Sequence, residues 1–150
     1  MRSYLVVMDG SAEAPAALRY AARRAARTGG AVDILALVEP AEFSAWGAVQ
    51  AAMEEEARLR AEAMVAQATG AIAEEAGIKP AITVRQGDPV KAVTEMLAER
   101  NDIAALVLAA GDKGPGPLVS HFAGAGASAL PCPLVIVPVS LSDEALERLT

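Results

Sequence analysis

The glycine-rich segment at residues 111–133 holds the residues of this chain most suited to chemistry. It lies between two short apolar runs, residues 103–108 and 134–137, whose branched side chains predict buried parallel strands. Glycine lets the backbone approach a ligand closely, and the unpaired amides that open the next helix attract anions. Lys113 adds a positive charge. The segment therefore predicts an anion-binding loop.

Other residues of this loop favour a purely structural role. Asp112 would repel a phosphate unless a divalent cation such as Mg²⁺ lay between the two charges. Pro115 and Pro117 have no amide hydrogen to donate. A rigid Gly-Pro turn that only connects a strand to a helix is therefore the alternative to an anion site.

Strands and helices alternate along the chain. Short apolar runs predict five strands, at residues 4–8, 32–38, 81–85, 103–108 and 133–139. Helical periodicity predicts helices between them, the longest at residues 47–76, with an apolar stripe of Met53, Ala57, Ala61, Met64, Ala68 and Ile72. This alternation predicts an α/β fold, a three-layer doubly wound parallel sheet with helices on both faces.

The last predicted strand has the features of an exposed sheet edge. Pro133 and Pro138 bracket it, and since proline lacks the amide donor that a central strand needs, the strand belongs at an edge. An apolar edge usually needs a partner, so we expect a homodimer that buries residues 134–139, from Leu134 to Val139. The tail at residues 141–150 is predicted to form a short helix beside that edge, and residues 1–140 form the domain.

Composition limits the classes of function. A chain of 150 residues with 53% hydrophobic content suits one domain with one core. A formal net charge of -6 argues against a nucleic-acid partner or an anionic membrane, because both demand clustered Lys and Arg. The sequence shows neither a signal peptide nor an apolar run that could span a bilayer, so a cytoplasmic protein is expected. Cys132 has no second cysteine to pair with, and His121 has no second histidine for a metal or acid–base site.

Five short motifs follow one another in a familiar order. They are Val-Met-Asp-Gly-Ser, Leu-Val-Glu-Pro, Gly-Asp-Pro, the glycine-rich segment and Pro-Cys-Pro-Leu-Val-Ile-Val-Pro. Together they resemble the universal stress protein family over nearly the whole chain, up to about Pro138. The resemblance implies a Rossmann-like fold of the adenine nucleotide alpha hydrolase-like type, with strand order 3-2-1-4-5. It also implies dimers joined through the last strand and, in some members, an ATP or AMP site.

The nucleotide pattern of the family can be aligned in two ways. Members that bind nucleotide carry Gly-x2-Gly-x9-Gly-Ser/Thr, and Gly111, Gly114 and Gly124 meet the glycine spacing while Ala125 replaces the hydroxyl. Counting back from Pro-Cys-Pro instead puts the hydroxyl position near Ser120 and His121.

We prefer the second alignment because Pro117 suits the first position of a helix. The helix then has an apolar stripe of Leu118, Phe122, Ala125 and Ala129. Gly124 falls inside this helix, where alanine is expected to be tolerated.

Asp9 ends the first strand, and in the resembling family the aspartate here lies beside the adenine and ribose. Its structural alternative is a turn carboxylate that accepts the amides of Ser11 and Ala12. Ser11 is also expected to cap the first helix, and Val38 to offer the adenine only backbone groups. The predicted nucleotide contacts are Asp9, Ser11, Val38, Gly111, Lys113, Gly114, Gly116 and Ser120.

Two classes of function follow. The first is a regulatory protein of the stress response, a homodimer that binds ATP or AMP, with or without Mg²⁺, and signals by conformation. The second is a ligand-free interaction module of the same fold. A slow ATP hydrolase ranks third, since Asp9 and Asp112 are its only candidate bases. Phe43 and Trp46, in the loop after the second strand, are expected either to cover a base or to pin that loop.

Overall fold

The five strands form one parallel sheet, and its order places the first strand in the middle. The structure is a computed structural model that describes residues 2–38 and 47–150. The strands are β1 (Ser3–Met8), β2 (Ala31–Val38), β3 (Ala81–Gln86), β4 (Ile103–Ala110) and β5 (Leu134–Pro138). They lie in the order β3-β2-β1-β4-β5, and every neighbouring pair is parallel. The predicted doubly wound fold and its strand order are confirmed.

Helices cover both faces of the sheet. They are α1 (Ala14–Thr28), α2 (Gly47–Ala76), α3 (Pro89–Glu99), α4 (Gly116–Phe122) and α5 (Asp143–Leu149), with a short 3-10 helix at Ala127–Ala129. Helices α1, α2 and α5 share one apolar core, while α3 and α4 share the other. Within the described ranges, every helix is too short or too polar to cross a bilayer.

The continuous apolar sequence of β1 serves both cores. Val6 and Met8 face the core of α1 and α2, whereas Leu5 and Val7 face that of α3 and α4. All four are buried, because helices cover both faces of the sheet at β1. The carboxyl end of β1, where Asp9 follows, is therefore held rigidly at the centre of the sheet.

The start of α1 differs from the prediction. Ser11 does not cap the helix, which begins two residues later than that prediction required, at Ala14 with Glu13 at the N-cap. Pro15 lies in the first turn, where the missing amide hydrogen costs nothing. The buried face of α1 is nearly all alanine, and this lets the helix pack close to the sheet.

The long helix α2 has the predicted bounds but a shifted apolar stripe. Ala61, Val65 and Ile72 are buried, whereas Met53 is exposed. On its solvated face, Arg58 bonds Glu55 and Glu62. An open cleft lies between this part of α2 and the ends of β2 and β3, with Ala51, Val38 and Val84 in its lining.

The helix that follows the glycine-rich loop is shorter than predicted. It has Pro117 in its first turn and buries Leu118 and Phe122, but it ends at Phe122 and does not include Gly124. A Cβ atom at Gly124 would lie 2.6 Å from the carbonyl oxygen of Ser120. Glycine is required by this close backbone contact, so the expectation that alanine would be tolerated there is wrong.

The C-terminal tail forms a helix that packs on α1. Ser142 caps α5, its Oγ accepting the amide hydrogen of Ala145 at 3.1 Å, and Leu146 is only 1% exposed. Arg19 forms an ion pair with Asp143. The tail therefore adds to the core of its own chain.

Candidate functional site

Two adjacent clefts that share Asp9 open at the carboxyl end of the sheet, on either side of the end of β1. At this end, the connections after β1 and β2 run toward one edge of the sheet, and the connection after β4 runs toward the other edge. Open α/β sheets bind ligands at such a point, where the strand order reverses. The first, the loop cleft, has a volume of about 150 Å³. It is lined by Val7, Asp9, Ser11, Glu13, Ala14, Leu108, Ala109, Pro115, Gly116, Pro117, Leu118 and Val119.

The second, the helix cleft, has a volume of about 190 Å³. It is lined by Asp9, Gly10, Leu37, Val38, Ala57, Arg60, Ala61 and Met64. Asp9 lines both clefts, so a ligand long enough to fill the two would pass beside its carboxylate.

Asp9 also performs the structural task that its sequence context predicts. Its Oδ1 accepts the backbone amide hydrogen of Ser11 at 3.0 Å, forming a tight turn after β1. The side chain is exposed to solvent at the junction of the clefts. The turn bond and a ligand contact are compatible, because a carboxylate has two oxygens and accepts several bonds.

Ser11 and Val38 lie on opposite sides of Asp9. Ser11 is half-buried in the lining of the loop cleft. Val38, 4% exposed at the end of β2, lines the helix cleft together with Leu37. The first three predicted contacts are therefore brought together by the ends of β1 and β2.

The predicted contacts in the glycine-rich loop separate into two groups. Gly116 lines the loop cleft. The described residues that line either cleft do not include the other four predicted contacts, Gly111, Lys113, Gly114 and Ser120. Lys113 and Ser120 are exposed, and Gly114 has a backbone φ of 129°, which explains the glycine without a ligand.

Glu13 is a site residue that sequence reasoning missed. A Cβ atom at Gly111 would lie 3.0 Å from Cδ of Glu13 and 3.1 and 3.2 Å from its two oxygens. The carboxylate of Glu13 thus lies against Gly111 and lines the loop cleft. In the sequence Glu13 is only a single acidic residue four positions after Asp9. It could be assigned to the cleft only by knowing that α1 begins at Ala14, which makes Glu13 the N-cap.

The residues that α2 contributes to the helix cleft were not among the contacts predicted from the sequence. Met64 and Arg60 line this cleft, and a Cβ atom at Gly10 would make an ordinary contact with Sδ of Met64 at 4.0 Å. The guanidinium of Arg60 adds a positive charge at an exposed position. An apolar floor with one cation at its margin suits a flat ring that carries polar groups.

The remaining candidates from the sequence lie outside the clefts or outside the described residues. His121 lies in the last turn of α4, where its ring meets Phe122 edge to face with centroids 4.9 Å apart. Burial raises the pKa of the Cys132 thiol, which makes it a poorer nucleophile. Phe43 and Trp46 fall in residues 39–46, outside the described part of the chain. Across residues 2–38 and 47–150, no group of three or more Asp, Glu, His or Cys is arranged to hold a metal.

The fold and the motifs are those of a known family. The sequence model of the universal stress protein family matches residues 1–138. This chain belongs to that family. No curated protein matches the sequence closely enough to refine the assignment.

Solved universal stress proteins share the fold at low sequence identity. Universal stress protein UspA from Lactobacillus plantarum is 19% identical, with a TM-score of 0.76 over 91% of this chain and 97% of that one. A universal stress protein in complex with cAMP is 22% identical, with a TM-score of 0.55 over 93% and 98% of the two chains. One from Archaeoglobus fulgidus in complex with dAMP is 17% identical, with a TM-score of 0.55 over 91% and 97%.

Proposed function

We propose that this universal stress protein binds an adenine nucleotide, ATP or AMP, across the two clefts at the carboxyl end of the sheet. The observation that carries this proposal is that both clefts share Asp9. A nucleotide has a base at one end and phosphate at the other, joined by a ribose. The two clefts and the carboxylate between them match that order of parts.

The chemistry of each cleft assigns the ends of the ligand. The helix cleft, with Leu37, Val38 and Met64 in its lining, suits the apolar faces of adenine. The loop cleft has Gly116 and Ser11 for phosphate contacts, and Asp9 accepts hydrogen bonds from the ribose hydroxyls. Two family members are named as complexes with cAMP and dAMP, which supports the adenine nucleotide class.

Four predicted contacts have a smaller part in this proposal. They are Gly111, Lys113, Gly114 and Ser120, which lie outside the two linings. Lys113 has a long flexible stem, so its ammonium would reach a phosphate tail from the mouth of the loop cleft. Ser120 remains a prediction from the alignment alone.

The charge of the loop cleft implies a role for Mg²⁺. Asp9 and Glu13 both line it, and each would repel a phosphate. A cation between these groups offsets the repulsion, and ATP has more charge to offset than AMP has. Mg²⁺ is therefore expected to strengthen ATP binding more than AMP binding.

Replacing Asp9 by alanine tests the proposed function. Loss of the ribose bond is expected to weaken binding of adenosine by about 1.5–3 kcal/mol, the usual range for a hydrogen bond to a charged group. Equilibrium dialysis with labelled adenosine measures this affinity, because adenosine lacks the phosphate that Asp9 would repel. Asp112→Ala is the matched control, because it removes the same charged group from the exposed loop outside both clefts. Equal affinities for the two variants would contradict the proposal.

A ligand-free interaction module is the second candidate, and the position of Glu13 favours it. The carboxylate lies where a phosphate would approach Gly111, and Asp9 already bonds Ser11. On this account the loop is a structural connection and the clefts stay solvated. Failure of wild-type protein to bind adenosine, AMP and Mg-ATP at millimolar concentration would select this candidate over the first.

The assembly belongs to the same proposal: a homodimer joined through β5, over residues 134–139. β5 is an edge strand, and Ile136 is 39% exposed on it. The opposite edge strand, β3, offers a matched control because Ile82 is 46% exposed there. Ile136→Lys is expected to raise the dimer dissociation constant at least about tenfold in sedimentation, whereas Ile82→Lys leaves it unchanged. A monomeric wild-type protein at micromolar concentration would contradict the dimer.

The proposed role is regulatory, in the stress response of the cytoplasm, with binding rather than turnover as the signal. Family membership supports this role. Phosphate release from Mg-ATP is then expected at no more than a slow background rate. Release measured at saturating Mg-ATP that falls on replacing Asp9 but not Asp112 would instead favour the hydrolase.

A further inference from the structure

The backbone anchors the start of the Glu13 side chain near the mouth of the glycine-rich loop. Glu13 is the N-cap of α1, and its carbonyl oxygen accepts the amide hydrogen of Ala16 at 3.0 Å. The next residue, Ala14, is buried in the core, so the main chain here has little freedom. The side chain extends from this anchored position to Gly111, which has room for it only because it lacks a Cβ atom.

Glu13 and Asp9 give the loop cleft two negative charges, and no described residue of its lining carries a positive charge. In the described part of the chain, neither carboxylate forms an ion pair with Arg or Lys. Lys113, the lysine of the glycine-rich loop, is exposed and does not line the loop cleft. A ligand group that enters this cleft therefore meets a negative field.

The negative field in the loop cleft repels different adenine ligands to different extents. Adenosine carries no charge, a phosphate monoester such as AMP carries about -1.5 to -2 at neutral pH, and free ATP carries more. Repulsion grows with the product of the charges and falls with distance. It is therefore largest for the phosphate tail of ATP beside Glu13.

We infer that Glu13 is a specificity-determining residue that makes the loop cleft select adenine ligands of low negative charge over free ATP. Such ligands include a nucleoside, a phosphodiester and a nucleotide whose charge a divalent cation has offset. The inference rests on the proposed function and adds to it the residue that discriminates between members of the ligand class.

Calorimetry with adenosine, AMP and ATP, all without divalent cations, tests this inference. In Glu13→Gln, affinity for free ATP is expected to rise about tenfold, which corresponds to about 1.4 kcal/mol. The rise is smaller for AMP, and adenosine binding changes by less than about twofold, because the repulsion scales with ligand charge. Glu13→Asp keeps the charge and is expected to keep the discrimination against ATP.

Glu74→Gln is the matched control, since Glu74 lies exposed near the C-terminus of α2, at the opposite end of the sheet. It changes the net charge by the same amount and is expected to leave all three affinities unchanged. Equal gains for ATP and adenosine in Glu13→Gln, or equal effects of Glu13→Gln and Glu74→Gln, would overturn the inference while leaving the proposed function standing. No binding of any ligand to wild type or Glu13→Gln would overturn both.

Discussion

At the amino end of the sheet acidic side chains are neutralised by an arginine, whereas at the carboxyl end they line a cleft. Arg100 donates to Asp33 at 3.1 and 3.2 Å and to Asp102 at 2.7 Å. The hydroxyl of Ser3 also donates to Asp33. In contrast, among the described residues Asp9 and Glu13 have no guanidinium or ammonium partner.

The acidic residues at the two ends of the sheet differ in burial and in partners. Asp33 is 7% exposed on β2, and such a carboxylate is tolerated in the folded state because Arg100 and Ser3 satisfy it. Asp9 and Glu13 remain near solvent, where an unpaired carboxylate costs little until a ligand arrives. Acidic residues at the amino end therefore have partners within the protein, whereas we propose that those at the carboxyl end select what binds.

Removal of Arg100 is the strongest test of this contrast. Arg100→Met leaves the carboxylate of Asp33 buried without its charged partner, and is expected to lower the free energy of unfolding by about 3 kcal/mol. Urea denaturation measures this loss. Arg85→Met is the control, because the partner of Arg85 is the carboxylate of Glu99, which is 57% exposed, and loss of this pair is expected to cost less than about 1 kcal/mol. Equal losses would contradict the structural assignment of the amino-end cluster.

Gly124 and Gly111 differ in the rigidity of the atoms packed against them: a backbone oxygen at Gly124 and the end of a side chain at Gly111. Gly124→Ala forces a Cβ atom against the backbone oxygen of Ser120 and is expected to cost about 1–3 kcal/mol. At Gly111 the neighbour is only the flexible end of Glu13, so Gly111→Ala displaces that carboxylate at a cost within about 0.5 kcal/mol. Thermal unfolding of the two variants measures the difference. A larger cost at Gly111 would mean that Glu13 is held rigidly.

Acid titration of stability gives the smallest effect. Hydrogen bonds from Arg100 hold the pKa of Asp102 below its usual value. A carboxyl whose pKa is lower in the folded state contributes stability that is present above the unfolded pKa and lost as the pH falls through the folded pKa. Wild type is therefore expected to lose stability in acid more steeply than Asp102→Asn below about pH 4. Parallel curves would show that Asp102 is not coupled to Arg100.

The succession of strands and helices was predictable from local sequence, because each element has its own signal, whereas the strand order in the sheet was predicted from the family resemblance. Buried parallel strands such as β1 are continuous apolar runs, and α1 shows a clear helical face. The end of α4 was not predictable in this way. Ala125 extends the apolar period, but the backbone turns after Phe122.

The candidate site was predictable only in part, because its contacts join distant parts of the chain. Asp9 has a local signal at the end of a strand, and the family resemblance pointed to it. Glu13 meets Gly111 across 98 positions of sequence, and Asp33 meets Arg100 across 67. Neither pairing leaves a periodic pattern, so only the folded arrangement reveals them.

We propose that one adenine nucleotide occupies both clefts and leaves the amino end of the sheet untouched. Backbone amide spectra of ¹⁵N-labelled protein, recorded during titration with AMP, distinguish the two ends of the sheet residue by residue. We expect saturable shifts at Met64 in the helix cleft and at Gly116 in the loop cleft, with Arg100 and Asp102 unchanged. Spectra that stay unchanged at millimolar AMP, or shifts confined to the amino end, would contradict it.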